Sequence, residues 1–334
     1  MIRYLTAGES HGKALVGILE GIPPHVSVSV DKINQDLLRR QGGKGRGGRM
    51  KIESDTVEIL SGVRGGVTMG SPIALLIRNR DYDNWAGVMC PKDGDRSQRA
   101  LTKVRPGHAD LPGCIKHGFV DARYVLERAS ARETAMRVAI GSICKQYLES
   151  KGIVVISRVL SIGGATDDKD IEDAINKAKS AGDTLGGRVE ITVRGVPVGL
   201  GSYTHYDHKL DAKLAFDLMS IQSVKAVEIG AGVKAADLSG SQMHDEIFLG
   251  KKGTYERRTN RAGGIEGGMS NGEDIVVTVS LKPIPTLMKG LDTVDIVTKR
   301  AAKAEPERSD TCAVEAAAVV AECVAAATIA SEIC

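Results

Sequence analysis

The sequence predicts a mixed chain of β-strands and α-helices without the strict strand–helix–strand rhythm of a parallel-sheet enzyme. Three patterns carry that expectation. Residues 26–30 alternate apolar and polar, the period of a half-buried strand. Residues 31–40 and 170–180 place Ile33, Leu37 and Leu38, and Ile171, Ala174, Ile175 and Ala178, at helical spacing. Five strand-like runs but only one helix precede residue 80, so few βαβ units are expected.

Taken in order, residues 2–5 form a short apolar strand that runs into Gly8-Glu9-Ser10-His11-Gly12-Lys13. This run is one residue short of a phosphate-binding P-loop, and Ala14 stands where Ser or Thr is needed. What remains is a glycine-flanked histidine at a strand exit. Strands at 14–20 and 26–30 follow, separated by the turn Gly21-Ile22-Pro23-Pro24, and Asp31 caps a helix to about Arg40. Residues 39–49 then set five cations and no acid on a glycine-rich backbone. Gly43, Gly45 and Gly48 match the dinucleotide fingerprint formally, but a polar helix precedes them and no apolar-faced helix follows, so that match is rejected. Like charges repel, which favours an anionic counter-ligand over a solvated loop. That ligand is either a polyanionic small molecule or RNA contacted by an RGG-like segment. Strands at 57–60 and 73–77 flank a glycine-rich turn, residues 79–85 form a polar loop around the only tryptophan, and 86–104 are irregular.

The stretch from Arg105 to Arg137 organises the rest. Arg105-Pro106-Gly107-His108-Ala109-Asp110 reads as a turn. It carries a histidine that is either a proton donor and acceptor or a hydrogen-bonded loop residue. Ser130 and Glu133 form a capping box for a helix to about Lys151, supported by the Glu133–Arg137 pair. Arg128 and Arg132 beside that helix start make an anion site, the alternative being a capped surface helix with solvated arginines. Beyond it come a strand at 153–162, a helix at 170–180, a strand at 188–193, a helix at 211–219 and a strand at 224–229. The order at 14–40 is echoed at 188–219, which points to two halves, roughly 1–150 and 151–334. Residues 260–272 hold five glycines, and a strand at 275–281 ends in Lys282-Pro283-Ile284-Pro285-Thr286. A final helix spans about 312–333 with Glu315, Glu322 and Glu332 on its wet side. Asp310 reads locally as the N-cap of that helix.

Composition narrows the function. With 42% hydrophobic and 26% charged residues the chain is that of a soluble globular protein. No run approaches the roughly 18 apolar residues of a membrane span, and the N-terminus lacks a signal-peptide core. Six scattered cysteines without a Cys-x-x-Cys pair, and no His-Glu-x-x-His motif, argue for reduced intracellular thiols and against a disulfide framework or zinc site. The net charge of +3 hides an asymmetry. Residues 1–150 hold 23 Lys and Arg against 16 Asp and Glu, and the remainder 22 against 26, so an anionic ligand belongs to the first half. Aromatics make up 3% of the chain and form no platform for stacking nucleic-acid bases.

Five motifs occur in order across nearly the whole chain. They are Gly8 to Gly12, Arg105 to Asp110, Arg128 to Arg137, Asn260 to Gly272, and Arg308-Ser309-Asp310-x-Cys312. Together they make the sequence resemble the chorismate synthase family. The resemblance implies an α+β fold, a layered β-α-β sandwich with helices between antiparallel sheets in a single compact domain. It also implies a cytoplasmic homotetramer with no nucleic-acid or membrane partner. The implied reaction is the anti-1,4-elimination of phosphate from 5-enolpyruvylshikimate 3-phosphate to give chorismate. Reduced FMN is required there without net redox change: it lends the substrate an electron transiently and recovers it with a substrate hydrogen. Matched by motif position, the resemblance implies that His11 protonates the leaving phosphate, that His108 supplies a proton to the reduced flavin, and that Asp310 acts near the flavin's reactive nitrogen. It implies substrate binding by Arg40, Arg46, Arg49, Arg105 and Arg132, and flavin contacts from Arg128, Ser130, Gln222, Ser223, Gly268, Lys282, Thr286 and Arg308. The 39–49 loop and residues 81–85 would close over the site. This chain departs from many relatives at Gln222-Ser223, where they carry Asn-Ala, and at Ser309, where they carry His. It is also shorter. The rivals are an RNA- or polyanion-binding protein using the 39–49 loop, and a flavin reductase or a lyase with its own NAD(P)H-dependent reductase activity. The absence of a dinucleotide fingerprint favours the monofunctional lyase.

Overall fold

Burial alternates strictly along Ile73–Arg78 and closely along Ala14–Glu20, so one face of the sheet they form turns inward. The computed structural model describes residues 1–47, 54–306 and 310–334. The first sheet contains Arg3–Ala7, Ala14–Glu20, Val57–Ser61 and Ile73–Arg78, arranged first, second, fourth, third. The second contains Val154–Ile162, Gly187–Arg194, Val224–Ile229 and Ile275–Leu281 in the same arrangement. Every pairing in both is antiparallel. In each, a helix follows the second strand, Val30–Gln41 in one case and Leu210–Met219 in the other.

Between the sheets lie Thr134–Glu149, packed on the first, and Val314–Ile333, packed on the second. These two helices also pack on each other, which makes the fold α+β and layered as expected. Small residues permit the contact. A Cβ built on Gly141 would stand 2.3 Å from the backbone oxygen of Cys323, so only glycine fits there. The Val314–Ile333 helix has the length and mean hydropathy (1.7) of a membrane span, although glutamates interrupt it and no continuous apolar run in the sequence is that long. That apolar surface is spent inside the protein, where 78% of the span is buried.

Several expectations are corrected. Glu322 is not on a wet side. It is 2% exposed and accepts both terminal nitrogens of Arg39 (2.9 Å each), Lys145 Nζ (2.5 Å) and Ser157 Oγ (2.7 Å). Ser29, not Asp31, caps the first helix, accepting from Lys32 N. Residues 26–30 alternate in burial but make a single bridge, Ser27 to Val67, because the facing segment turns at Gly65-Gly66. Residues 79–85 contain a 3-10 turn, Arg80–Asn84, followed by a short helix, Ala86–Met89. Helices at Asp110–His117 and Arg123–Ala129 were not expected. Ser130 accepts from Arg132 N at 3.3 Å and caps the turn Ala131–Glu133 that enters the Thr134–Glu149 helix. The Glu133 carboxylate does not reach back to complete the box. It binds Arg137 at 2.9 Å, as its spacing predicts, and Gln222.

Gly141→Ala separates two effects of opposite sign. Helix propensity alone would stabilise the variant by about 1 kcal/mol, whereas overpacking against Cys323 costs about 1–3 kcal/mol. Backbone cannot swing aside as a flexible side chain does, so a net loss of unfolding free energy in urea is expected.

Candidate active site

The loop from Gly8 to Lys13 leaves the first strand in a conformation that needs glycine. Gly8 has φ +106°, and a Cβ there would stand 2.4 Å from the Ala14 carbonyl oxygen. Asn79 pins the loop by donating to the carbonyls of Glu9 (3.0 Å) and Gly12 (2.7 Å). His11 at its tip donates from its backbone N–H to Glu127 Oε2 and pairs through ring Nδ1 with Glu127 Oε1, both at 2.8 Å. Its ring stacks on Trp85 with centroids 3.9 Å apart. Burial pushes the Glu127 carboxyl up, but His11 and Arg123 outweigh burial and hold it below its ordinary value.

A second histidine is built the same way. The turn at Gly107 (φ +77°) brings His108 and Arg105 onto Asp110, the first residue of the Asp110–His117 helix. Asp110 is fully buried. It accepts from Arg105 N (3.1 Å) and Nε (2.8 Å), and pairs with His108 Nδ1 at 2.5 Å. Burial alone would raise its pKa; the His108 and Arg105 contacts reverse that and keep it well below the usual carboxylate range.

Arginines form the floor. Arg132 Nη1 donates to Asp55 at 2.6 Å and its Nε to Asn79 at 2.9 Å. Arg40 lies 3.5 Å from the other Asp55 oxygen and donates to Thr134 Oγ1 and the Ala131 carbonyl at 3.0 Å each. Two guanidiniums thus share one carboxylate. Burial first, with Arg132 and Arg46 adding to it, pushes Arg40 down to about 10 despite Asp55. Asp310 is not the N-cap of the final helix. It accepts from Arg46 Nη1 (2.5 Å) and Gly47 N (2.6 Å), docking the basic loop onto residues 310–312, where Thr311 N also reaches Gly45 O. The described cations of that loop therefore have counter-charges in their own chain. Arg39 meets Asp36 and Glu322, Lys44 meets Asp168, and Arg46 meets Asp310, so repulsion within the loop does not by itself demand a ligand.

These groups line one cleft of about 770 Å³. Of the residues expected there, His11, Arg40, Arg46, Arg105, His108, Ser130, Arg132, Gln222, Ser223, Lys282, Thr286 and Asp310 all line it. Arg128 and Gly268 do not. Arg128 is exposed and donates to Gly8 O and to Thr6 O and Oγ1, while the Gly268 carbonyl accepts from Ser202 N and Leu210 N. Arg49 and Arg308 lie outside the described residues. Beside His108, Lys282 Nζ donates to Gly107 O at 3.0 Å and is pushed down by burial and by Lys225. Gln222 Nε2 donates to Glu133 at 2.9 Å, while its buried Oε1 has no partner among the described residues. Ser223 takes an unusual φ of +72° and its carbonyl accepts from Lys282 N. Sequence reasoning assigned no role to Asp55, Asp110 or Glu127. Only Asp110, two residues beyond His108, left a local signal. Among the described residues, no group of three His, Cys, Asp or Glu could hold a metal ion.

Two carboxylate-paired histidines facing a cleft floored by buried arginines define an enzyme that takes a small, multiply anionic substrate and moves protons around it. The chorismate synthase family model matches residues 2–334. The chorismate synthase of Alkaliphilus metalliredigens is 56% identical, covering 99% of this chain and 94% of that protein, and that of Caldanaerobacter subterraneus is 55% identical, covering 99% and 92%. A chorismate synthase crystal structure superposes with a TM-score of 0.79 at 39% identity, covering 99% of this chain and 91% of that one. The chain belongs to the chorismate synthase family, carbon–oxygen lyases of the shikimate pathway whose members use a flavin. RNA binding through the 39–49 loop is not supported.

Asp55→Asn leaves two buried guanidiniums without their shared charge, and we expect it to cost about 3 kcal/mol of unfolding free energy. Inorganic phosphate should raise the Tm of this variant more than that of the unaltered protein. Acid provides a separate check. Glu127, Asp110 and Glu322 all have folded pKa values below their unfolded ones. Their stabilisation is therefore complete above the unfolded carboxylate range, about pH 4, and is lost as pH falls through the lower folded values. Urea unfolding should hold level to about pH 5 and then weaken.

Proposed function

We propose that the protein converts 5-enolpyruvylshikimate 3-phosphate to chorismate and phosphate by an anti-1,4-elimination that requires reduced FMN. The observation that carries this reading is the convergence of His11 and His108, each on a buried carboxylate, with Arg40, Arg46, Arg105 and Arg132 in one cleft. The substrate bears a phosphate and two carboxylates, and arginine is the side chain best matched to both.

A flavin fits the residues present. The buried Gln222 Oε1, without a partner among the described residues, is an acceptor for a ring N–H, and Leu126, Ile221, Leu281, Ala317 and Val320 supply apolar wall for a flat ring. When bound, reduced FMN supplies an electron to the substrate transiently and recovers it at the end. The protein's own residues do the rest. His11 gives a proton to the leaving phosphate, His108 would supply a proton to the flavin ring, and Asp310, which accepts a hydrogen bond from Arg46, would act at the flavin's reactive nitrogen. Ser130, Lys282 and Thr286 hold the flavin, and Arg308 is assigned with them by motif position. Arg49 is assigned to the substrate on the same ground. Trp85, stacked on His11, excludes water from that end.

We further read the enzyme as a cytoplasmic homotetramer, with Leu5 and Ile18, paired and exposed on the first sheet, as part of a subunit contact. The matching strand order of the two sheets supports reading residues 1–150 and 151–334 as pseudo-symmetric halves of one domain.

The deciding assay is anaerobic. Chorismate absorbance should appear with chemically reduced FMN and fail to appear with oxidised FMN plus NADPH; its absence in both would overturn the reading. His108→Ala is expected to lose about 100-fold or more in turnover while FMN and substrate still bind in titrations. Arg46→Ala should weaken substrate binding about tenfold or more, and FMN binding much less.

A further inference from the structure

We propose that Glu127 is the positioning residue for His11: its carboxylate holds the imidazole as the Nδ1–H tautomer, so that Nε2 is the nitrogen that gives and regains the proton. The proposal deepens the functional reading and rests on it for the identity of the proton acceptor, but the tautomer itself does not depend on that reading.

The geometry is that of a two-point grip. One carboxylate takes two donors from a single residue, the backbone N–H of His11 on Oε2 and ring Nδ1 on Oε1, both at 2.8 Å. A carboxylate offers acceptors only, so it satisfies both. An amide in the same place would set an NH2 group against one of them. The Glu127 carbonyl also accepts Ser10 N at 2.9 Å, so the residue fixes the loop as well as the ring. Arg123, one turn earlier on the Arg123–Ala129 helix, donates to Oε1 at 3.3 Å and adds to the larger effect of the His11 contacts in holding this 4%-exposed carboxylate below its ordinary value. Trp85 covers one face of the imidazole, and Arg99 lies 3.9 Å from the Trp85 ring centroid. Rotation of the ring is thereby opposed by both stacking and the Nδ1 contact. Among the described residues, Nε2 of His11 has no hydrogen-bond partner, and the ring lines the cleft.

The proton balance follows. The imidazolium gives its Nε2 proton to an oxygen of the departing phosphate; the O–H bond forms as the N–H bond breaks, and the electron pair remains on Nε2. The neutral ring left behind carries its proton on Nδ1, the tautomer Glu127 already holds. Solvent then returns a proton to Nε2, so no ring flip or tautomer exchange intervenes between turnovers. Asp110 grips His108 similarly, but it also binds Arg105, so its loss would disturb anion binding too. Glu127 touches His11 and Arg123; Arg123 lines the cleft but is not among the arginines assigned to the substrate, which makes the effect of Glu127 the more separable.

Two measurements test this. The first is an NMR spectrum of the full chain labelled with 15N-histidine, taken at alkaline pH where the ring is neutral and assigned through His11→Gln. The expected result is a proton on Nδ1 and a bare Nε2; a neutral His11 protonated on Nε2 would overturn the proposal. The second is kinetic. Glu127→Gln should lower kcat about 100-fold with KM for substrate within about twofold, and Glu127→Asp should recover part of the loss. Unchanged kcat, or a KM that rises in step with falling kcat, would sink it. If Glu127→Gln does not fold, or the native chain makes no chorismate, the spectrum of the native chain still decides.

Discussion

Burying guanidinium groups before any substrate arrives is the constraint on which the cleft depends. A desolvated cation is tolerated only beside an anion, and a full complement of anions would leave nothing to attract a substrate. Asp55 resolves this by serving Arg40 and Arg132 together, so the floor is neutralised only in part. Burial, with Arg132 and Arg46 adding to it, holds Arg40 down at about 10 even beside Asp55. Such a site is preorganised: its donors are oriented by Thr134, Asn79 and the Ala131 carbonyl before binding, so little reorganisation remains for the reaction itself.

The layered fold makes that arrangement possible. The N-terminal end of the Thr134–Glu149 helix carries Ser130, Arg132 and Thr134 into the cleft, while its middle is committed to the helix behind it through Gly141. Strand exits of the first sheet bring in His11, and Lys282 follows directly from the last strand of the second. The site is therefore assembled where both sheets and the central helices end together, and its polar groups come from element termini with backbone groups still to satisfy.

How much of this was legible depended on the range of the interaction. Ala14–Glu20, Val224–Ile229 and Ile275–Leu281 were readable to the residue because each is a short run rich in Val, Ile and Leu closed by polar residues or Gly. No helix was expected at Asp110–His117, whose first turn holds Pro112; proline costs little there because its missing N–H has no intrahelical partner anyway. The histidines and most arginines of the cleft were legible as motifs, whereas their carboxylate partners were not. Glu127 lies 116 residues from His11 and Asp55 77 from Arg132, so no local pattern joins them. The same blindness made the 39–49 loop look uncompensated, since its counter-charges come from Asp36, Asp168, Asp310 and Glu322.

The Val314–Ile333 helix has a consequence for biosynthesis. Both the second sheet and the Thr134–Glu149 helix pack against it, yet a ribosome makes it after every other element of the core. Until it emerges, the nascent chain presents two sheets and a helix with their apolar faces uncovered, and cannot close. Completion of the core thereby waits until residues 314–333 have emerged, and the waiting chain is a natural client for chaperones that shield hydrophobic surface.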